Sequence, residues 1–164
     1  MDAYSGGLDF LPLGGTGEIG MNLNLYRASG KWLAIDCGIG FGGNENPEIE
    51  IMMPDPSFIA ERRDDLLALV ITHAHEDHIG AVAHLWRQMR CPVYATPFAA
   101  AVLKRKLGEA GLVNEVRVHV VQPGGKFQIG PFDLQFLSVA HSLPEAQALV
   151  IRTQFGTILH TGDW

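Results

Sequence analysis

The chain predicts a mixed α/β fold in which helices cover a sheet and hairpins build a second one. Three observations predict it. Residues 22–28 (NLNLYRA) alternate polar and apolar, the two-residue period of a half-buried strand, and 31–36 (KWLAID) return after a Ser29-Gly30 turn. Residues 66–71 (LLALVI) are an unbroken apolar run, the mark of a strand buried on both faces, and segments of helical period follow it. From residue 116 onward the chain reads as short strands separated by turns.

In chain order, 9–13 (DFLPL) is a short apolar strand ahead of the 22–28 and 31–36 hairpin. Residues 38–56 hold glycines, Asn44, Asn46 and three prolines, and read as loop. Residues 57–63 suit a short helix, and 66–71 are the buried strand. Ile79, Val82, Ala83, Trp86 and Met89 are spaced to line one face of a helix over 79–89. A strand at 92–95 leads to Pro97, a good first-turn residue, and a helix that runs to about 109 and stops near Gly111. Strands are expected at 116–121, 126–129, 132–139, 147–153 and 157–161, with Gly130-Pro131 and Phe155-Gly156 as turns.

The 164 residues suffice for one domain with a real core, and 47% hydrophobic residues with 18% charged exclude a disordered chain. The two cysteines, Cys37 and Cys91, match no CxxC pattern, so they are expected as small buried hydrophobes in a reducing, cytoplasmic setting. The opening MDAYSGGLDF has neither a basic region nor an apolar signal core, and no run could span a bilayer, so no membrane partner is expected. The net charge of −6 argues against holding nucleic acid by a broadly basic surface; an anionic substrate would be drawn by a local metal field.

The chemistry concentrates in His73-Ala74-His75-Glu76-Asp77-His78, directly after the buried strand. In an extended segment i and i+2 point the same way, so His73 and His75 can converge on one ion. A turn into helix then swings Asp77 and His78 toward a neighbouring position. Imidazoles and carboxylates are the ligands of a catalytic zinc, whereas a merely solvated loop would gather so many histidines only by accident. His141 and Asp163 stand at two later strand ends. Either alone is weak, since a lone strand-end His or Asp is more often a capping residue; their coincidence with the histidine loop raises both.

Gly15-Thr16-Gly17-Glu18-Ile19-Gly20 has GxGxxG spacing, and Asp36 follows at a tolerable distance for a ribose-binding acid. A dinucleotide loop must open a helix, and this one opens an alternating strand, so a tight turn near the metal edge is expected instead. His84 lies off the apolar stripe of its helix and His119 inside a strand without a ligand neighbour. His160 is expected in packing, and Lys104-Arg105-Lys106 as a solvated helix face.

HxHxDH with a later His and a later Gly-Asp matches the ordered motifs of the metallo-β-lactamase superfamily. LPLGGTGEIGMNLNLY, LAIDCGIGF, ITHAHEDHIGA, CPVYATPFAAAVL, VAHSLPEAQALVIRT and ILHTGDW resemble the β-CASP ribonucleases, most closely the ribonuclease J family, from Leu11 to Trp164. The resemblance implies a metallo-β-lactamase-like αββα sandwich, of which residues 1–164 would be the N-terminal part. It implies two Zn²⁺ ions, with Mn²⁺ as the alternative: His73, His75 and His141 on the first, Asp77 and His78 on the second, Asp163 bridging. Asp77 and His78 would be catalytic, Asp77 orienting the nucleophile or taking its proton, and Asp36 would support the metal loop without binding metal. RNA would be the substrate, cut internally and from the 5′ end. The family continues past Trp164 with the β-CASP insertion, the last metal-binding histidine and further phosphate-gripping residues. The resemblance therefore implies a piece inactive in isolation, and any homo-oligomer would form through those later regions. Two rivals stand beside the nuclease: a hydrolase of the same superfamily acting on a thioester or lactone, and a non-catalytic metal-binding fragment.

Overall fold

The structure, a computed structural model, describes residues 6–42 and 48–163. Residues 43–47, with Asn44, Asn46 and Pro47 of the expected loop, lie outside the described residues, as do 1–5 and Trp164.

Two sheets pack face to face. Strands β1 (Leu8–Gly14), β2 (Leu23–Ala28), β3 (Lys31–Ile35), β4 (Leu66–Val70), β5 (Val93–Ala95) and β6 (Val118–Val120) form a six-stranded sheet in that order. The first three are joined antiparallel, and β3 to β6 run parallel. Ser29 and Gly30 both take positive φ, 51° and 75°, the turn geometry that suits the twist of the β2–β3 hairpin. Helices lie in the parallel crossovers, the usual connection between parallel strands. These are α1 (Ser57–Ala60), the pair α2 (Glu76–Ile79) and α3 (Val82–Met89), and α4 (Pro97–Glu109). Strands β7 (Lys126–Ile129), β8 (Phe132–Ser138), β9 (Gln147–Thr153) and β10 (Gly156–His160) form an antiparallel meander, ordered β10-β9-β8-β7.

Each layer has its own core. Between the first sheet and the helices lie Leu23, Leu25, Leu69, Ile71, Val82, Trp86, Leu103 and Leu107. Between the sheets lie Tyr26, Leu33, Val70, Phe132, Phe136, Leu149 and Ile151. Strand β4 feeds both cores, Leu66 and Leu69 on one side and Ala68 and Val70 on the other, so its unbroken apolar run is explained by burial on both faces. Cys37 and Cys91 are buried free thiols, one more pair of small apolar fillers. No helix among the described residues is long and apolar enough to cross a membrane.

All elements but the helices expected at 57–63 and 79–89 fall within two residues of their expected bounds, several of them shorter. The helix at 57–63 is α1 alone, four residues long. The strands at 92–95 and 116–121 shrink to Val93–Ala95 and Val118–Val120. The helix at 79–89 begins earlier and is broken. The carbonyl of Asp77, which an unbroken helix would offer to Ala81, accepts instead from the backbone N–H and side-chain amide of Asn22, at 3.1 and 3.0 Å. The Ala81 N–H turns to the carbonyl of Cys37 at 3.0 Å. A tertiary contact thus outbids the helical bond, and the chain separates into α2 and α3. The Gly15–Gly20 segment opens no helix. It is a turn, with Gly15, Gly17 and Gly20 at φ between 78° and 93°, that delivers the chain into β2.

Candidate metal centre

The site sits where β4 ends against the second sheet. Thr72 is fully buried, and its carbonyl accepts the Gln147 N–H at 3.1 Å, tying the end of β4 to the start of β9. The next six residues carry the histidine loop. His75 is extended, with φ −67° and ψ 152°, and α2 begins directly after it. Side chains at 73 and 75 therefore project from extended backbone and those at 77 and 78 from a helical turn, the change of direction the motif predicts.

The loop is clamped from below by the chain that follows β3. The N–H groups of Cys37 and Ile39 donate to the carbonyls of His78 and Glu76, at 2.7 and 2.9 Å, and the Gly38 N–H donates to the carbonyl of Asn22 at 2.9 Å. Gly38 lies so close beneath α2 that a Cβ there would run into the carbonyl of Asp77. Its missing side chain admits the helix.

Asp36 is the keystone of the buried layer. It holds left-handed backbone, φ 60°, and is 0% exposed. Its Oδ1 accepts the Thr72 N–H at 2.8 Å, and its Oδ2 accepts the Thr72 hydroxyl at 2.8 Å and faces His78 Nδ1 at 2.7 Å. Burial alone would raise the Asp36 carboxyl, but His78 beside it and the Thr72 N–H hold it below the usual carboxylate range. Burial works against charge on His78, yet Asp36, Asp77 and Asp163 outweigh it and push the imidazole up to about 9.

Six of the seven predicted residues converge in two groups that share Asp163. The donor atoms of His73, His75, His141 and Asp163 lie within 4.8 Å of one another, as do those of Asp77, His78 and Asp163. In the first group His75 Nδ1 is 2.9 Å from His73 Nε2 and 3.0 Å from His141 Nε2, while Asp163 Oδ2 stands 4.0 and 3.9 Å from the latter two nitrogens. In the second, His78 Nε2 lies 3.2 Å from Asp163 Oδ1 and 3.5 Å from Asp77 Oδ2. The seventh residue, Asp36, stays beneath, touching His78 and Thr72.

The chemistry of these donors fits a divalent cation. Zinc–nitrogen bonds of about 2.0–2.1 Å in a tetrahedron place ligand atoms about 3.3 Å apart, within the spread of the first group. Burial, with His78 alongside, pushes His73 down to about 4, so its ring is neutral at pH 7. The Thr72 hydroxyl, already donating to Asp36, can only accept from His73 Nδ1 at 3.0 Å, and the Nε2 lone pair is then left facing inward. Ser142 Oγ lies 3.2 Å from His75 Nε2, so a proton placed there frees His75 Nδ1 in the same way. His78, donating Nδ1–H to Asp36, presents Nε2 once an incoming cation displaces the second ring proton. His73, His75 and His78 thus each have an outer hydrogen-bond partner that fixes which ring nitrogen keeps its proton.

Among the described residues, a cleft and a recess reach the centre. A cleft of about 430 Å³ has His75, Asp77 and Asp163 on its floor and Ile19, Ile39 and Phe41 along its rim. A polar recess on the other side is lined by Thr16, Asn22, Asn24, His78, His160 and Asp163. The glycine turn therefore borders the site, as expected of it. His160 packs edge-on against Tyr26, with Nδ1 3.0 Å from the Tyr26 hydroxyl, and supplies no ligand atom to either group. His84 is exposed and His119 stacks on Tyr94. Lys104 and Arg105 are exposed, whereas Lys106 is half-buried and pairs with Glu76 at 2.6 Å. Sequence reasoning passed over Asn22, Thr72 and Ser142. Thr72 and Ser142 each adjoin a predicted histidine, which was the one signal available.

Residues 19–163 match the family model of the metallo-beta-lactamase superfamily. Ribonuclease J of Sinorhizobium meliloti is 48% identical over 161 residues, covering 96% of this chain and 28% of that protein. Ribonuclease J of Mycobacterium tuberculosis is 41% identical over 160 residues, 97% of this chain and 28% of that protein. This chain thus spans about 28% of the length of these relatives. Among solved structures, the metallo-beta-lactamase fold protein YhfI from Bacillus subtilis aligns with a TM-score of 0.68 at 19% identity, over 95% of this chain and 62% of that one. The short form of human tRNase Z aligns with a TM-score of 0.64 at 15% identity, over 94% and 68%. At such identities the structural likenesses speak for the fold.

Proposed function

The chain belongs to the metallo-beta-lactamase superfamily, and from that premise we propose that it carries most of the metal centre of a ribonuclease that hydrolyses RNA phosphodiester bonds, internally and from the 5′ end. The observation that carries this reading is the convergence of six side chains into two donor groups sharing Asp163, in a chain 48% identical to a ribonuclease J. We read residues 1–164 as the N-terminal portion of the metallo-β-lactamase domain of a longer nuclease, with β-CASP and C-terminal parts beyond it.

His73, His75 and His141 would hold one divalent cation and Asp77 and His78 a second, with Asp163 between them; zinc suits the nitrogen-rich first group. Bound there, such ions supply Lewis acidity, lowering the pKa of water toward neutrality and neutralising charge on phosphoryl oxygens. The side chains do the remaining work. Asp36 fixes the ring of His78 by accepting its Nδ1–H, and Thr72 does the same for His73. Asp77, at the floor of the open cleft, orients the attacking water or accepts its proton. His75, Glu76, Asp77 and Asp163 line the cleft and no lysine or arginine among the described residues does, so an RNA phosphate would be drawn by bound cations rather than by lysine or arginine.

Two assays test the reading. The longer protein of which these residues are read as the N-terminal portion, loaded with zinc or manganese, is offered 5′-monophosphorylated RNA and, separately, a thioester. Cleavage of RNA alone is expected, while turnover of the thioester alone would replace the nuclease with an acyl hydrolase. Metal analysis of the purified chain at well under one ion per molecule would overturn the centre itself.

A further inference from the structure

We infer that helix α4, which supplies no donor to either group, sets the spacing of the two histidine loops, and that Lys106 and Glu145 are positioning residues for the metal centre. The inference rests on the metal-binding reading above. Its starting point is that α4 is fastened to both loops. Near its C-terminal end Lys106 Nζ lies 2.6 Å from Oε1 of Glu76, the residue between His75 and Asp77. At its N-terminal end the Phe98 N–H donates to Oε2 of Glu145 at 2.8 Å, four residues beyond His141. Phe98 and Lys106 are eight positions apart on the helix, a rise of about 12 Å.

The helix is a credible ruler because it is itself immobile. Ala99, Leu103 and Leu107 are fully buried against the first sheet, and the Thr96 side chain caps the Ala99 N–H. Glu145, by contrast, holds φ 59°, a conformation costly for a residue with a Cβ. A charged bond to the first turn of a helix offsets that cost and gives the strained residue a reason to stay there. Between these two ties, Ser142 Oγ touches His75 Nε2 at 3.2 Å, so the two loops also meet each other. Loosening either tie lets a ligand-bearing loop drift relative to the other.

The direction of the effect separates positioning from simple charge. Lys106 is a cation beside a cation site, so if only Coulomb forces mattered, removing it would tighten metal binding. Positioning demands the reverse. Surface pairs contribute little to global stability, so the metal-free fold should hardly notice the change.

The test is competition for Zn²⁺ between a chromophoric chelator and the purified chain, wild type against Lys106→Met, Lys106→Arg, Glu145→Ala and Glu145→Gln, at low salt and at about 1 M salt, where surface charges are screened. Expected is a loss of about tenfold in Zn²⁺ affinity for Lys106→Met and for Glu145→Ala, as for other residues that orient ligands through a neighbour. Lys106→Arg, and Glu145→Gln with its amide oxygen still able to accept the Phe98 N–H, should recover most of it, and the melting temperature of the metal-free protein should move by less than about 4 °C. The Glu145→Ala loss should persist at high salt. Unchanged or tighter Zn²⁺ binding by Lys106→Met overturns the inference and leaves the metal centre standing. Absence of Zn²⁺ binding by the wild type removes both.

Discussion

His75 and His141 stand half-buried on two loops and lean on each other at 3.0 Å, whereas His78, 2% exposed, is held from beneath by Asp36 at 2.7 Å. The first group is therefore assembled across two loops, with only His73 buried and the loops joined through Ser142 and α4 rather than through a buried carboxylate. The second is built into the floor of the fold, where the same hydrogen bonds that aim His78 also join β3 to β4. Metal affinity and fold stability should consequently separate along the line between the two groups.

The largest effect is expected at that floor. Asp36→Ala strips the buried partner from His78 and from Thr72, and breaking a buried pair of this kind costs about 3–5 kcal/mol. Urea unfolding of the metal-free protein should show it, with His75→Ala far less damaging; equal losses for the two variants would erase the distinction. The next effect concerns the ion. His75→Ala should cut metal content sharply, while His84→Ala, an exposed position on α3, should leave it at the wild-type level. Equal metal content in both would remove His75 as a ligand.

A smaller effect is expected from Thr72→Val, which keeps the shape and deletes the hydroxyl between Asp36 and His73. The loss should be about 1–3 kcal/mol of metal-free stability, because a buried carboxylate oxygen loses a donor. The smallest signal is a rate. Burial pushes the Cys37 thiol well up and Cys91 to about 12. A raised thiol pKa means almost no thiolate at pH 8.5, so iodoacetamide should label neither cysteine in the native protein and both after unfolding, when the thiols return to about 8.5. Since the Cys37 N–H donates to the carbonyl of His78, its labelling also reports opening of the second group. Rapid native labelling of Cys37 would show that the floor is not rigid.

Much of this was legible in the residues themselves. The alternation of NLNLYRA and the apolar run LLALVI are local consequences of burial on one face or two, so strands β2 and β4 could be read directly. The six converging side chains were legible for a related reason: histidine and aspartate at strand ends carry their chemistry in their type. What was hidden depends on distant partners. Nothing near Val82 announces that the helix expected over 79–89 breaks ahead of it, because the cause is Asn22, some sixty residues upstream, taking the carbonyl of Asp77. Lys106 looked like one more solvated cation in a Lys-Arg-Lys run, and only the packing of α4 beside α2 sets it apart from Lys104 and Arg105. Glu145 carried no signal at all, since a strained backbone angle is invisible in a list of residues.

Gly38 shows where such hidden dependence leads. Its only permitted side chain is a hydrogen atom, because a methyl group would displace the carbonyl of Asp77. An exhaustive substitution map of this chain should therefore show a column of intolerance at position 38 as dark as those of the histidines, although the residue brings no functional group to the reaction. Reading such a map, one would mistake vacancy for chemistry.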